Sequence, residues 1–146
     1  MHQFSRISLC RGVVLGLFTF CALTLALASV STAEAAEMKK ITLSDARVYM
    51  PANHVDMKAM QIHSKEVSGC ESFTVGISHY LPGGASLKST PATERVYLVL
   101  AGELTVTSGN ETLVIGPMES IYIPPNIERE TVNNGRMPVT MVVIQP

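Results

Sequence analysis

The chain has 146 residues, 47% of them hydrophobic and 16% charged, with a mean hydropathy of +0.26. That is too apolar for a disordered protein, and the length suits one domain. Eleven Lys and Arg against twelve Asp and Glu leave a net charge of −1. No basic run exceeds Lys39-Lys40, so no nucleic-acid partner is expected.

The apolar residues are concentrated, with 21 of them among the first 35 positions. Arg6 and Arg11 precede Val13–Val30, which carries no charge, and small residues follow at Ala33 and Ala35. This is the pattern of an export signal cut after Ala35. The uncharged run of 18 residues could also span a membrane. The Ala33–Ala35 site and the acidic Glu34 and Glu37 favour cleavage. The expectation is therefore a leader over residues 1–35 and one domain over 36–146. That domain is periplasmic or secreted and free of the membrane. Cys10 and Cys21 leave with the leader, so Cys70 has no internal partner for a disulfide. It reads as a small buried residue at the start of a strand.

Past the leader the chain shows alternation broken by turn residues, which predicts an all-β sandwich or barrel of seven to nine strands. Ile41–Leu43, Arg47–Met50 and Met60–His63 are weak strand candidates, with Pro51–Ala59 an irregular or one-turn helical link. Phe73, Val75, Ile77, His79 and Leu81 alternate with Thr74, Gly76, Ser78 and Tyr80. The apolar company of His79 predicts that it points inward, and Pro82-Gly83-Gly84 ends the strand. Arg95–Leu100 is apolar on both faces after Arg95, which predicts a central strand. Ser108-Gly109-Asn110-Glu111 predicts a tight hairpin turn into Thr112–Ile115. After Gly116-Pro117 comes a short strand, Ser120–Ile123, stopped by Pro124-Pro125. Ile127–Val132 and Pro138–Ile144 are expected to pair across Asn133-Asn134-Gly135.

Two stretches carry a family resemblance. Glu94–Leu104 resembles the first conserved motif of the cupins, and Gly116–Pro125 resembles the start of their second, with Asn133 where that motif ends. The similarity covers about residues 72–144 and implies a jelly-roll barrel, the double-stranded β-helix of that superfamily. Metal-dependent cupins hold a cation with histidines and a glutamate that point into the barrel. Counted from Gly102, the glutamate position falls on Arg95. The paired histidines fall on Ser89 and Pro91, or on Lys88 and Thr90, and Asn133 places the last histidine at Arg129. None of these residues is a ligand, and a guanidinium group has no lone pair to give. No metal and no other cofactor is expected.

On that alignment Arg95 and Arg129 face one cavity from neighbouring strands. Tyr97, two residues beyond Arg95, shares its face. Buried guanidinium groups cost several kcal/mol unless offset. Glu94, Glu128 and Glu130 alternate with the arginines and face away, which favours an anionic ligand held by bidentate contacts. The expected function is binding of a small acidic or hydroxylated metabolite by Arg95, Tyr97 and Arg129. Isomerase- or lyase-type proton transfer would use His79 as base. Competing readings are a metal-dependent dioxygenase or isomerase with a displaced site, drawing on His54, His63 and His79, and a non-catalytic binding or assembly module. The resemblance also implies a homodimer formed through N-terminal strands.

Overall fold

A computed structural model describes residues 37–146; the leader expected over residues 1–35 lies outside the described residues. The described residues form nine strands and one helical turn. β1 (Arg47–Tyr49) and β2 (His54–His63) precede α1 (Lys65–Ser68), and β3 (Thr74–Ser89) is the longest strand. There follow β4 (Arg95–Ala101), β5 (Leu104–Ser108), β6 (Glu111–Ile115), β7 (Ser120–Ile123), β8 (Arg129–Val132) and β9 (Val139–Gln145). The order β6-β5-β8-β3-β9-β4-β7 with antiparallel neighbours makes a nearly closed jelly-roll barrel. β1 and β2 extend it from β3.

The corner of the barrel is where the turn signals and the fold part company. Pro82-Gly83-Gly84 does not end β3 but bends it, so that one strand serves two partners on the same edge. Before the bend, Thr74–Tyr80 pairs with β9; beyond it, Ala85–Ser89 pairs with β8. β8 and β9 therefore meet β3 end to end and do not pair with each other. Asn133-Asn134-Gly135 is an excursion at the corner, not the hairpin turn expected. A turn signal reports that the chain leaves a strand; it does not say where the next strand docks.

β2 pairs along both halves of β3 and bends with it through a bulge at Asp56 (φ 47°), between the Val55↔Ala85 and Met57↔Tyr80 pairs. The bulge is why His54–Ala59 is strand although its pattern suggested a link. A side chain at Gly84 would place Cβ 2.5 Å from the Asp56 carbonyl oxygen, so only glycine admits the two backbones at this corner. Asn133 is buried there and its Nδ2 donates to the carbonyls of Leu81 (3.1 Å) and Met137 (2.9 Å). These bonds satisfy backbone acceptors that the bend takes out of the ladder.

Other expectations need smaller corrections. Ile41–Leu43 is not strand; the chain is irregular there and turns from Leu43. Ser64 caps α1, its hydroxyl accepting from Val67 N–H, and Gly69 closes the turn in the left-handed region. Nothing in the sequence reading anticipated that helix, which is too short to show a period. Cys70 follows it, partly buried, in the connection before β3. The β5–β6 hairpin closes Ser108 on Glu111 with Gly109 at φ 57°, as the turn residues indicated.

The core lies inside the barrel. Ala59, Tyr80, Val99, Leu104, Val139 and Met141 come from five strands and are buried together, each large side chain contributing about 1.5–3 kcal/mol of apolar transfer. Apolar packing fills one end. Toward the other end the inward positions turn polar.

Candidate functional site

Strand parity builds the polar end. On β4, Arg95, Tyr97 and Val99 point to one side, and Tyr97 and Val99 are buried. On β8, Arg129 and Thr131 are the inward pair; on β3 they are Ser78 and Tyr80. Arg95, Tyr97 and Arg129 line a cavity of about 260 Å³ together with His54, Tyr49, Ser78, Tyr80 and Gln145. The two arginines do not come from neighbouring strands as expected. β3 and β9 stand between β8 and β4 in the sheet order, so the arginines enter from separate parts of the wall.

Arg129 is 4% exposed and heavily bonded. Its Nε donates to the Tyr97 hydroxyl at 2.9 Å, and Nη1 donates to Ser89 Oγ at 2.7 Å. The guanidinium carbon stands 6.0 Å from the centre of the Tyr97 ring, within reach of a cation–π attraction. Ser89 and Arg129 occupy two positions at which the family resemblance places metal ligands. Their contact selects the Ser89 and Pro91 register over the Lys88 and Thr90 one, since Lys88 pairs outside with Glu128 at 3.9 Å. A hydrogen-bonded network of serine, arginine and tyrosine stands where ligands would converge. Arg129 also borders a smaller apolar cavity of about 120 Å³ lined by Val106, Ile121 and Ile123. It thereby separates the polar compartment from the apolar one.

Arg95 is wired differently. It is partly exposed, and its Nε is buried without a hydrogen-bond partner. Among the described residues no carboxylate pairs with either arginine. Glu94 accepts from the Tyr122 hydroxyl at 2.7 Å, Glu128 reaches Lys88, and Glu130 alternates with Arg129 along β8. A guanidinium group that lines the cavity with no carboxylate partner can take an anion there.

The histidines fall differently from expectation. His79 is on the opposite face of β3 from Ser78 and Tyr80, and its Nδ1 meets Thr140 Oγ1 at 2.9 Å across the pair with β9. Period-two alternation tells which residues share a face; it does not tell which face is inside. Here the small Gly76 and Ser78 face inward and leave room for the tyrosines and arginines, while Phe73 and Leu81 are exposed. His63 ends β2 and does not line the cavity.

His54, set aside by the sequence reading except as a possible metal ligand, does line it. Its Nδ1 lies 2.6 Å from the Ala52 carbonyl, which can only accept, so Nδ1 carries the proton and Nε2 keeps its lone pair. Burial holds the His54 pKa below the ordinary imidazole range; the Ala52 hydrogen bond opposes it, and the positive charges of Arg129 and Arg95 add smaller lowering effects. Burial raises the Tyr49 phenol, partly offset by Arg95. Burial also pushes Tyr80 up to about 12 although Thr131 shares a hydrogen bond with it. Both phenols stay protonated near neutrality.

This donor set does not fit a divalent cation. The lining offers one imidazole, two guanidinium groups and no carboxylate. Among the described residues no three His, Cys, Asp or Glu side chains stand together to hold an ion. A metal wants neutral imidazole and anionic oxygen or sulfur, and two fixed cations repel it.

Comparison with known proteins agrees with the barrel. The cupin domain family model matches residues 76–145. A curated protein of Mycobacterium tuberculosis named beta-D-galactosidase Rv1717 is 35% identical over 86 residues, covering 59% of this chain and 74% of that protein. The polyketide cyclase RemF from Streptomyces resistomycificus superposes with a TM-score of 0.68 at 18% identity, over 75% of this chain and 80% of RemF. A Rhizobium leguminosarum protein of unknown function gives 0.56 at 25% identity, over 75% and 96%. With strand order, glycine-bounded strands and these matches in accord, the chain belongs to the cupin superfamily.

Proposed function

We propose that this is a metal-free cupin whose cavity binds a small acidic, hydroxylated metabolite and moves a proton on it, as an isomerase or lyase does. The observation that carries this reading is the pair of guanidinium groups in one cavity with no carboxylate to neutralise them. A ligand carboxylate supplies the missing charge, and Tyr49, Tyr97 and Ser78 offer hydroxyls to a polyhydroxylated partner. The relative named as a galactosidase supports a hydroxylated ligand. Glycoside hydrolysis by the usual route needs two carboxyl groups about the scissile bond, and this lining has none, so proton transfer suits these residues better. Export through the leader and pairing as a homodimer through the N-terminal strands belong to the same reading.

Elemental analysis and thermal shift of the purified protein test it. Metal well below one equivalent is expected. D-galactonate should raise the melting temperature while the neutral galactitol does not, because a ligand at about 100 times its Kd adds about 2.7 kcal/mol. One equivalent of iron, nickel or manganese, or equal shifts from acid and alcohol, overturns the proposal.

A further inference from the structure

We propose, resting on the anion site just described, that His54 takes a proton from the carbon beside the carbonyl of a bound 2-oxo acid. In this assignment Arg95 holds the carboxylate and Tyr97 faces the carbonyl oxygen. Four features of the cavity lead there.

The first is the tautomer. The Ala52 carbonyl fixes the proton on Nδ1, which leaves Nε2 as a base. The second is placement. His54 precedes Met57 by three positions, so simple alternation would put them on opposite faces. The Asp56 bulge brings both into the cavity lining. Asn53 (φ 60°) and Asp56 (φ 47°) hold left-handed backbone on either side of His54, a conformation that asparagine and aspartate adopt readily and that sets the direction of the side chain between them.

The third feature is the division of labour between the arginines. Arg129 is committed to Tyr97 and Ser89, whereas the Arg95 Nε has no partner. Arg95 is the open fork for a carboxylate. The fourth is the direction of the Tyr97 bond. That hydroxyl accepts from Arg129, so its own hydrogen is left to donate into the cavity, with a fixed positive charge behind it. A donor backed by a cation is suited to an oxygen on which negative charge develops.

The chemistry follows from the acidity of the bond to be broken. A carbon next to a lone carboxylate holds its proton too tightly for imidazole; with a carbonyl at C2, the hydrogens on the neighbouring C3 become acidic enough, because the charge left behind is delocalised onto the carbonyl oxygen. The Nε2 lone pair takes the proton from C3, the C3–H bonding pair becomes the C2=C3 bond, and the C2=O pair moves onto oxygen at Tyr97. The imidazolium then returns a proton to C3 or to another position of the enolate. No oxidant, reductant or co-reactant is required. The groups that line the cavity around His54 are Tyr49 on β1, Tyr80 on β3, Arg95 and Tyr97 on β4 and Arg129 on β8. In the free cavity burial, with a smaller contribution from the two cations, lowers the proton affinity of His54, and a bound carboxylate offsets Arg95, so the base regains some of it as substrate enters.

The test is proton NMR of 2-oxobutyrate in deuterated buffer with the purified protein, following loss of the C3 hydrogens, alongside calorimetric binding of the same acid. The wild type should exchange C3 hydrogens above the buffer rate, with activity falling on the acid side as His54 takes up its proton. His54→Asn, whose amide can still donate to Ala52, should bind 2-oxobutyrate within a few fold of wild type and exchange on the order of 100-fold more slowly. His54→Gln is the second variant should the first fail to fold. Exchange at the wild-type rate in either variant overturns the assignment. Binding without exchange in the wild type overturns it too, but leaves the anion site standing. Absence of binding by 2-oxobutyrate and D-galactonate alike overturns both.

Discussion

Arg129 and Arg95 bring the same group into the same cavity under opposite conditions. Arg129 is almost fully buried, and its Nε and Nη1 donate to Tyr97 and Ser89. Arg95 is partly exposed and has a buried Nε with nothing to donate to. The first arginine is a strut across the barrel interior, separating the polar from the apolar compartment. The second is a contact in waiting. What decides the role of a buried cation is therefore the count of its satisfied donors, since the cost of desolvating it is offset inside the protein in one case and left for a ligand in the other.

Substitutions at the two positions should separate these roles. Arg129→Ala removes the strut, empties its volume and strands the Ser89 and Tyr97 hydroxyls. A loss of about 2–4 kcal/mol is expected, or a fall of about 10–20 °C in Tm, read by calorimetry. Arg95→Met should cost about 100-fold in affinity for D-galactonate, some 2.7 kcal/mol, because it deletes a charge-assisted contact. Its Tm should hold or rise, since the change removes an unsatisfied donor; a large fall would erase the contrast between the arginines. Tyr97→Phe keeps the ring beside Arg129 and deletes one hydrogen bond, for about 1 kcal/mol of stability.

The smallest effect concerns pH. The folded pKa of His54 lies below its unfolded value, so the unfolded chain binds the proton more readily. Stability from this group is intact above about pH 6.5, the unfolded imidazole value, and is lost as the pH falls through the lower, folded one. His54→Asn should flatten that acid-side decline in Tm measured across pH 5 to 7.5, by less than the Tyr97→Phe effect.

Much of the barrel was legible in the sequence because turn residues and alternation report local geometry. The position of Arg95 beside Tyr97 follows from a period of two on an unbroken strand. His54 was not legible, because the Asp56 bulge shifts the phase between it and Met57. Nor was the run of β3 through Pro82-Gly83-Gly84, a bend that depends on the approach of Asp56 and on the hydrogen bonds from Asn133. His79 was misplaced for a related reason. Both faces of β3 carry apolar residues, and the inner face is chosen by what must fit opposite it. The sites that alternation misreads lie at or beside the barrel corner, where strands change partners.

The Nε–H resonances of Arg95 and Arg129 report most directly on the central claim. They should be followed by two-dimensional nitrogen–proton NMR while D-galactonate is added. The Arg95 signal should move saturably toward a hydrogen-bonded position while the Arg129 signal, already bonded to Tyr97, stays within a small fraction of that shift. An Arg95 signal that ignores the acid, or an Arg129 signal that moves as far, would contradict the account.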